Sequence, residues 1–293
     1  MATASLLFNA SQSYKSSLEL SYFSNKEPYG YDFVAYLDQY ATLRDVDNLI
    51  ALIDKKNKTS FEEFLCRSSL TYKACYLDFK GTLAFRQDKL TEAYEAFAQV
   101  PDSSAFKLLP YSYESGADSI NPFYPRVLDY AIKPAEVGHG FTKKAFLKEM
   151  LRLKTKTDPD SYLKLGHAYY NTGYLGNAWF MCAYYQGNEY WQVEFGSLAK
   201  NKRKYGNGNY ANLTTARAYY LKAYNVATNN EQRALATLML HVCERNFDYT
   251  SDFSWSDEEV FKPTDWVKRF YGTYATTKTF KQYSCPNLEM YLK

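Results

Sequence analysis

Three histidines, His139, His167 and His241, are the side chains best suited to proton transfer or metal binding near neutral pH, but they stand far apart in the chain. None has a His, Cys or acidic neighbour at the spacing of a helical metal motif, where two ligands sit one turn apart. No nucleophile elbow, phosphate loop or dinucleotide fingerprint occurs. Gly206 and Gly208 in GNGNY alternate but follow no strand, so they read as a turn. The basic run Lys200, Lys202, Arg203 and Lys204 beside them reads as a solvated loop. Glycoside hydrolysis would need two carboxylates facing each other across an aromatic cleft. Asp158, Asp160, Glu189, Asp257, Glu258 and Glu259 qualify only by lying near aromatic residues. Because function must be argued from a site, the expectation is a non-enzymatic protein with no catalytic residues, no metal and no cofactor.

Composition narrows the remaining classes. The chain has 293 residues, 46% hydrophobic and 23% charged, enough to bury a large core without disulfide or metal. The net charge of +3, from 35 basic and 32 acidic residues, lacks the strong basic stripe of a nucleic-acid binder. Cys66, Cys75, Cys182, Cys243 and Cys285 are odd in number and widely spread, which predicts thiols and neither a zinc site nor a disulfide framework. No run of 18 apolar residues is present, so no transmembrane segment is predicted. The opening MATASLLFNASQSYK has no basic segment followed by an apolar stretch. The chain as written is therefore expected in the cytoplasm, and a processed or partial form in the periplasm or envelope. Aromatic content is high at 18%, with 30 Tyr and 19 Phe. Tyr can pack its ring and still hydrogen-bond water, which suits both core filling and recognition of peptides or sugars.

The elements that would position any such site are helical. Apolar residues recur at helical spacing over 31–40 and 44–56, Glu62 and Glu63 open a helix after Thr59-Ser60, and 70–100 reads as two helices joined at 86–89 and stopped by Pro101. Short helices are compatible with 3–23. Proline and glycine then break every period from 102 to 140, a loop longer than compact domains ordinarily carry. Helical pattern resumes at 142–154, returns after Asp158-Pro159-Asp160 as a second hairpin to about Tyr190, and continues as 213–226 and 230–245 around a short turn. A helix around Trp266–Tyr274 and a short one near Phe280 close the chain. Three stretches follow: amino-terminal helices over 1–101, an irregular insertion over 102–141, and a helical region with a carboxy-terminal cap over 142–293.

Residues 162–182 match the tetratricopeptide pattern, a helix-turn-helix of about 34 residues with fixed large and small positions. Tyr162, Leu165, Gly166, Tyr169, Gly173 and Ala178 take those positions, and Cys182 stands where the pattern has Phe. Leu77, Gly81, Ala84, Ala93 and Phe97 repeat the separations, with Lys80 in place of Leu. Ala216 and Tyr220 repeat the second-helix signature 38 residues beyond Ala178 and Cys182. Gly and Ala suit positions where two helices approach closely. The chain thus resembles the tetratricopeptide repeat family over 71–101, 160–190 and, more loosely, 210–246. GHAYYNTGYLGNAW and the closing CERN are also similar to the carboxy-terminal part of large envelope-associated repeat proteins of Gram-negative bacteria. The resemblance implies an all-α fold, antiparallel hairpins in an αα-superhelix interrupted by a long irregular insertion.

It also implies a protein-interaction scaffold that takes a peptide or partner helix in its groove. A helical carbohydrate-binding protein using exposed Tyr and Trp is the alternative. With Tyr162, Leu165, Gly166 and Tyr169 packed, the stripe rotated by about 100° is Leu163, His167 and Tyr170, with Asn171 at its edge. In the first hairpin the equivalent stripe is Asp78, Thr82 and Phe85, with Arg86 at its edge. In the resembled family such first-helix positions line the groove. The insertion either leaves that groove open to a ligand, or fills it or separates the hairpins altogether.

Overall fold

A computed structural model of the protein describes residues 41–66, 73–100, 121–127, 141–173, 176, 178, 180–183, 213–251 and 263–284. The described residues are mostly helical and contain no strand, so the fold is all-α. In chain order the helices are α1 (Leu43–Asp54), α2 (Ser60–Cys66), α3 (Lys73–Arg86), α4 (Leu90–Ala98), α5 (Lys143–Lys154), α6 (Pro159–Asn171), α7 (Phe180–Ala183), α8 (Thr214–Val226), α9 (Asn230–Ser251), α10 (Asp265–Thr273) and α11 (Lys278–Tyr283). The helices expected over 3–23 and 31–40 lie outside the described residues.

Local chemistry explains where these helices begin. Thr42 and Asp45 form a reciprocal capping box on α1, and Thr59 and Glu62 do the same on α2. Thr142, Asp158, Thr264 and Thr277 accept the orphan N–H groups at the starts of α5, α6, α10 and α11, and Pro159 occupies the first turn of α6. Each such cap contributes about 1 kcal/mol. Entry into α4 and α8 is different: left-handed residues precede them, Asp88 at φ 57° and Leu213 at φ 53°.

Packing follows chain order. α1 lies on α3, α3 on α4, α4 on α5, α5 on α6, α6 on α8, α8 on α9, and α9 on α10 and α11; α6 also touches α9, and α7 lies back against α3. One core group joins α1, α3, α4 and α5 with Phe123, Leu165, Ala178 and Cys182, thus drawing on all three stretches of the sequence. A second joins α6, α8 and α9, and a third joins α9, α10 and α11. α6 belongs to the first group through Leu165 and Ala168 and to the second through Leu163 and Tyr170.

Gly81 and Gly166, the first-helix glycines of the repeat pattern, each sit under an aromatic ring of another helix. A Cβ on Gly81 would lie 2.6 Å from Cε1 of Phe97, and one on Gly166 would lie 2.5 Å from Cε1 of Tyr220. The first contact is the α3–α4 hairpin expected from sequence. The second corrects an expectation at this one position: the ring over Gly166 comes from α8, while Ala178 and Cys182 meet α6 at Leu165 and Ala168 in the first core group. Those two residues join the first core group, where the carbonyl of Cys182 accepts hydrogen bonds from Arg86 Nε and Nη2 at 2.7 and 2.5 Å. The Tyr220 ring fills the space over Gly166. Leu90, Ala93, Phe97 and Val100 and, at identical spacing, Leu213, Ala216, Tyr220 and Ala223 are all buried.

Candidate functional site

The expected ligand stripe is buried. Asp78, Thr82, Phe85, Arg86, Leu163, His167, Tyr170 and Asn171 are each at most 6% exposed. A groove stripe needs a helix with one open side, whereas α6 has α5, α8 and α9 around it. In α3 the polar members of the stripe tie separate parts of the chain together. Asp78 receives Lys143 Nζ at 2.9 Å on both oxygens, with that ammonium 5.2 Å from the Phe97 ring centre. Arg86 holds the Cys182 carbonyl, and Thr82 donates to the Asp78 carbonyl at 3.0 Å. Phe85 packs on Phe146 with ring centres 6.3 Å apart.

The insertion supplies part of that covering. Asn171 Nδ2 donates to the carbonyls of Pro122 and Tyr124, both at 2.9 Å, and Phe123 packs between Phe141 and Phe146 at 5.5 and 5.2 Å. Residues 121–127 therefore lie along the end of α6, so here the insertion folds onto the expected groove. Tyr170 is fully enclosed in the second core group.

Leu163 and His167 nevertheless reach a cavity. They line a cleft of about 940 Å³ where α5, α6, α9, α11 and segment 121–125 meet. Its buried and half-buried lining is apolar and aromatic, Phe123, Phe141, Leu163, Leu235 and Tyr283 together with His167. Its rim is charged, with Lys148, Glu149 and Arg152 from α5 and Asp160 and Lys164 from α6. The volume of about 940 Å³ falls within the range of small-ligand pockets. Sequence reasoning reached Leu163 and His167, and Asp160 only as a candidate carboxylate, but missed the other walls. Lys148 and Arg152 carried a signal in the basic run of KKAFLKEMLRLK, whereas Leu235 and Tyr283 are brought in only by folding.

Electrostatics assign roles inside the cleft. Burial pushes the His167 imidazole down to about 3, so it is neutral at neutral pH, and its Nδ1 lies 2.8 Å from the Tyr220 hydroxyl. Burial likewise raises the Tyr220 phenol well above its ordinary value. Glu149 is held below the usual carboxylate range by its hydrogen bonds from Arg152, at 2.5 and 2.7 Å, against a smaller opposing effect of burial. It stands as a fixed carboxylate in an ion pair. Asp160 accepts from Gln232 Nε2 at 2.8 Å. These groups offer a neutral, partly aromatic floor beneath fixed charges, an arrangement suited to holding a ligand.

The remaining candidates are dispersed. Asp158 is the cap of α6, and His241 on α9 lies 3.0 Å from Thr264 Oγ1. Cys66, Cys182 and Cys243 are buried thiols. His139, Glu189, Asp257, Glu258, Glu259, the 200–204 basic run and GNGNY lie outside the described residues. Among the described residues no cluster of three metal-binding side chains forms, and no helix is long and apolar enough to cross a membrane. No family model matches the chain, and neither a curated protein nor a solved structure matches it.

Proposed function

We propose that this protein is a non-enzymatic interaction scaffold of tetratricopeptide-like hairpins that captures a peptide stretch of a partner protein. The observation that carries the reading is the cleft itself, where an apolar floor lies under a rim of fixed charges at the junction of four helices and the insertion. Recurrence of the Leu, Ala and aromatic spacing in α4 and α8 against a glycine of α3 and α6 supports the repeat assignment. The carbohydrate reading draws on partly exposed Tyr162, Tyr219 and Trp266. Their faces are already met by cations, Lys222 over both tyrosines at 5.9 and 5.0 Å and Arg269 over the indole at 5.4 Å. A sugar would have to displace these contacts, so the cleft is the better site.

A photoreactive benzoylphenylalanine at Gln282, which lines the cleft, tests the proposal in extract of the source cell. A discrete protein adduct, missing when the same group replaces the exposed Glu95 on α4, is expected. Absence of any site-dependent adduct, together with selective binding on a glycan array, would replace the scaffold with the carbohydrate reading.

A further inference from the structure

Two helices, α5 and α6, set the charge of the cleft. α5 carries five basic residues against one acid, in a chain whose whole net charge is +3. Lys143 pairs with Asp78, Arg152 with Glu149 and Lys154 with Asp88. Lys148 has no carboxylate within ion-pair distance among the described residues, and the same holds for Lys164 on the facing helix α6. Both are exposed and both line the cleft. On the negative side, Glu149 is taken up by Arg152, and Asp160 is hydrogen-bonded to Gln232 in the first turn of α6, where the helix dipole offsets part of its charge. Lys148 and Lys164 therefore stand at the lip outside any ion pair among the described residues, Lys164 acting on Glu149 only at longer range, and the apolar surface of Phe123, Phe141, Leu163 and Leu235 lies below them.

We propose that the cleft takes an acidic, apolar-bearing internal stretch of a partner protein. Carboxylates of that stretch meet Lys148 and Lys164, and one bulky aliphatic or aromatic side chain enters between Phe123, Phe141, Leu163 and Leu235. This rests on reading the cleft as a peptide site and adds the chemistry of the peptide. Complementary charge fixes orientation and excludes wrong partners, while the buried side chain supplies most of the affinity. Phosphates of a nucleic acid would meet the same lysines, but two such cations over an apolar floor fall short of the extended basic track that such binding needs.

Fluorescence anisotropy with the full chain tests this, using three labelled dodecapeptides: Phe and Leu flanked by Asp and Glu, the same with Lys replacing the acids, and the acidic one with Ala replacing Phe and Leu. A labelled single-stranded oligonucleotide is the fourth probe. The first peptide is expected to bind about tenfold more tightly than each of the others, and to weaken several-fold as salt is raised. Lys148→Glu combined with Lys164→Glu is expected to invert the preference toward the basic peptide with an unchanged thermal midpoint, since both side chains are exposed. Equal binding of acidic and basic peptides, an unaltered preference in the double variant, or tighter binding of the oligonucleotide overturns the proposal. If a protein adduct forms at position 282 while no peptide binds, the ligand chemistry is wrong and the scaffold reading stands; loss of both results removes both.

Discussion

His167 and His241 are held neutral inside the fold, with burial pushing their pKa values to about 3 and about 4 and Arg245 adding to the effect on His241. In the unfolded chain a histidine titrates near 6.5. The folded values lie below the unfolded ones, so the unfolded state binds more protons in between. This contribution to stability is therefore complete above about pH 6.5 and declines as pH falls toward the folded values. Between pH 7 and pH 5, before most carboxylates titrate, each histidine should remove about 2 kcal/mol. Urea midpoints measured across that window should fall, and His167→Gln should make the decline shallower; a pH-independent midpoint would contradict the burial of both rings. Arg86 and Tyr170 belong to the same scale. From sequence they are groove residues whose removal leaves stability nearly unchanged. Their enclosure reverses that expectation: Tyr170→Ala should cost about 3–5 kcal/mol, and Arg86→Ala about 2–3 kcal/mol through the loss of its charged hydrogen bonds to the Cys182 carbonyl. Thermal melts that do not move would restore the open-groove reading.

The helices were legible because most carry their own start signal and an apolar period. The expected 44–56, 142–154 and 213–226 appear as Leu43–Asp54, Lys143–Lys154 and Thr214–Val226. What could not be read was which helix covers Gly166, since that depends on a ring arriving from 54 residues away, a contact with no periodic trace. At both glycines the packed ring leaves no room for a methyl group. Gly166→Ala should therefore destabilise by about 1–3 kcal/mol despite the better helix propensity of Ala, and Gly166→Ala with Tyr220→Leu should recover part of the loss. Calorimetry showing the single variant to be more stable than the parent would mean that Tyr220 does not lie over Gly166.

Across the molecule, the chain-order packing is fastened by polar ties between parts distant in sequence. Lys143, just past the insertion, is buried on Asp78 of α3, and Asp88 at the tip of the first hairpin accepts from Lys154 and the Tyr169 hydroxyl. A buried ion pair loses most when one partner is removed. Lys143→Met should cost about 3–5 kcal/mol, whereas Lys143→Met with Asp78→Leu should recover most of it, because the carboxylate no longer has to be desolvated without this cation. Chemical denaturation of the two variants and the parent checks this. A single variant within experimental scatter of the parent would show that the tie does not join α3 to α5.

Residue order alone established the helical class, most helix starts and the two glycine approaches as close contacts, since capping, apolar period and side-chain size act over a few neighbours. The position of α8 over α6, the burial of the expected ligand stripe and the existence of the cleft came only with the fold. A helix face is open or covered according to what the rest of the chain brings to it. Asn171 illustrates the difference. Its type and place at the end of α6 suggested a ligand contact, and the partner it meets is the backbone of Pro122 and Tyr124, supplied by a segment whose broken period gave no sign of where it would lie.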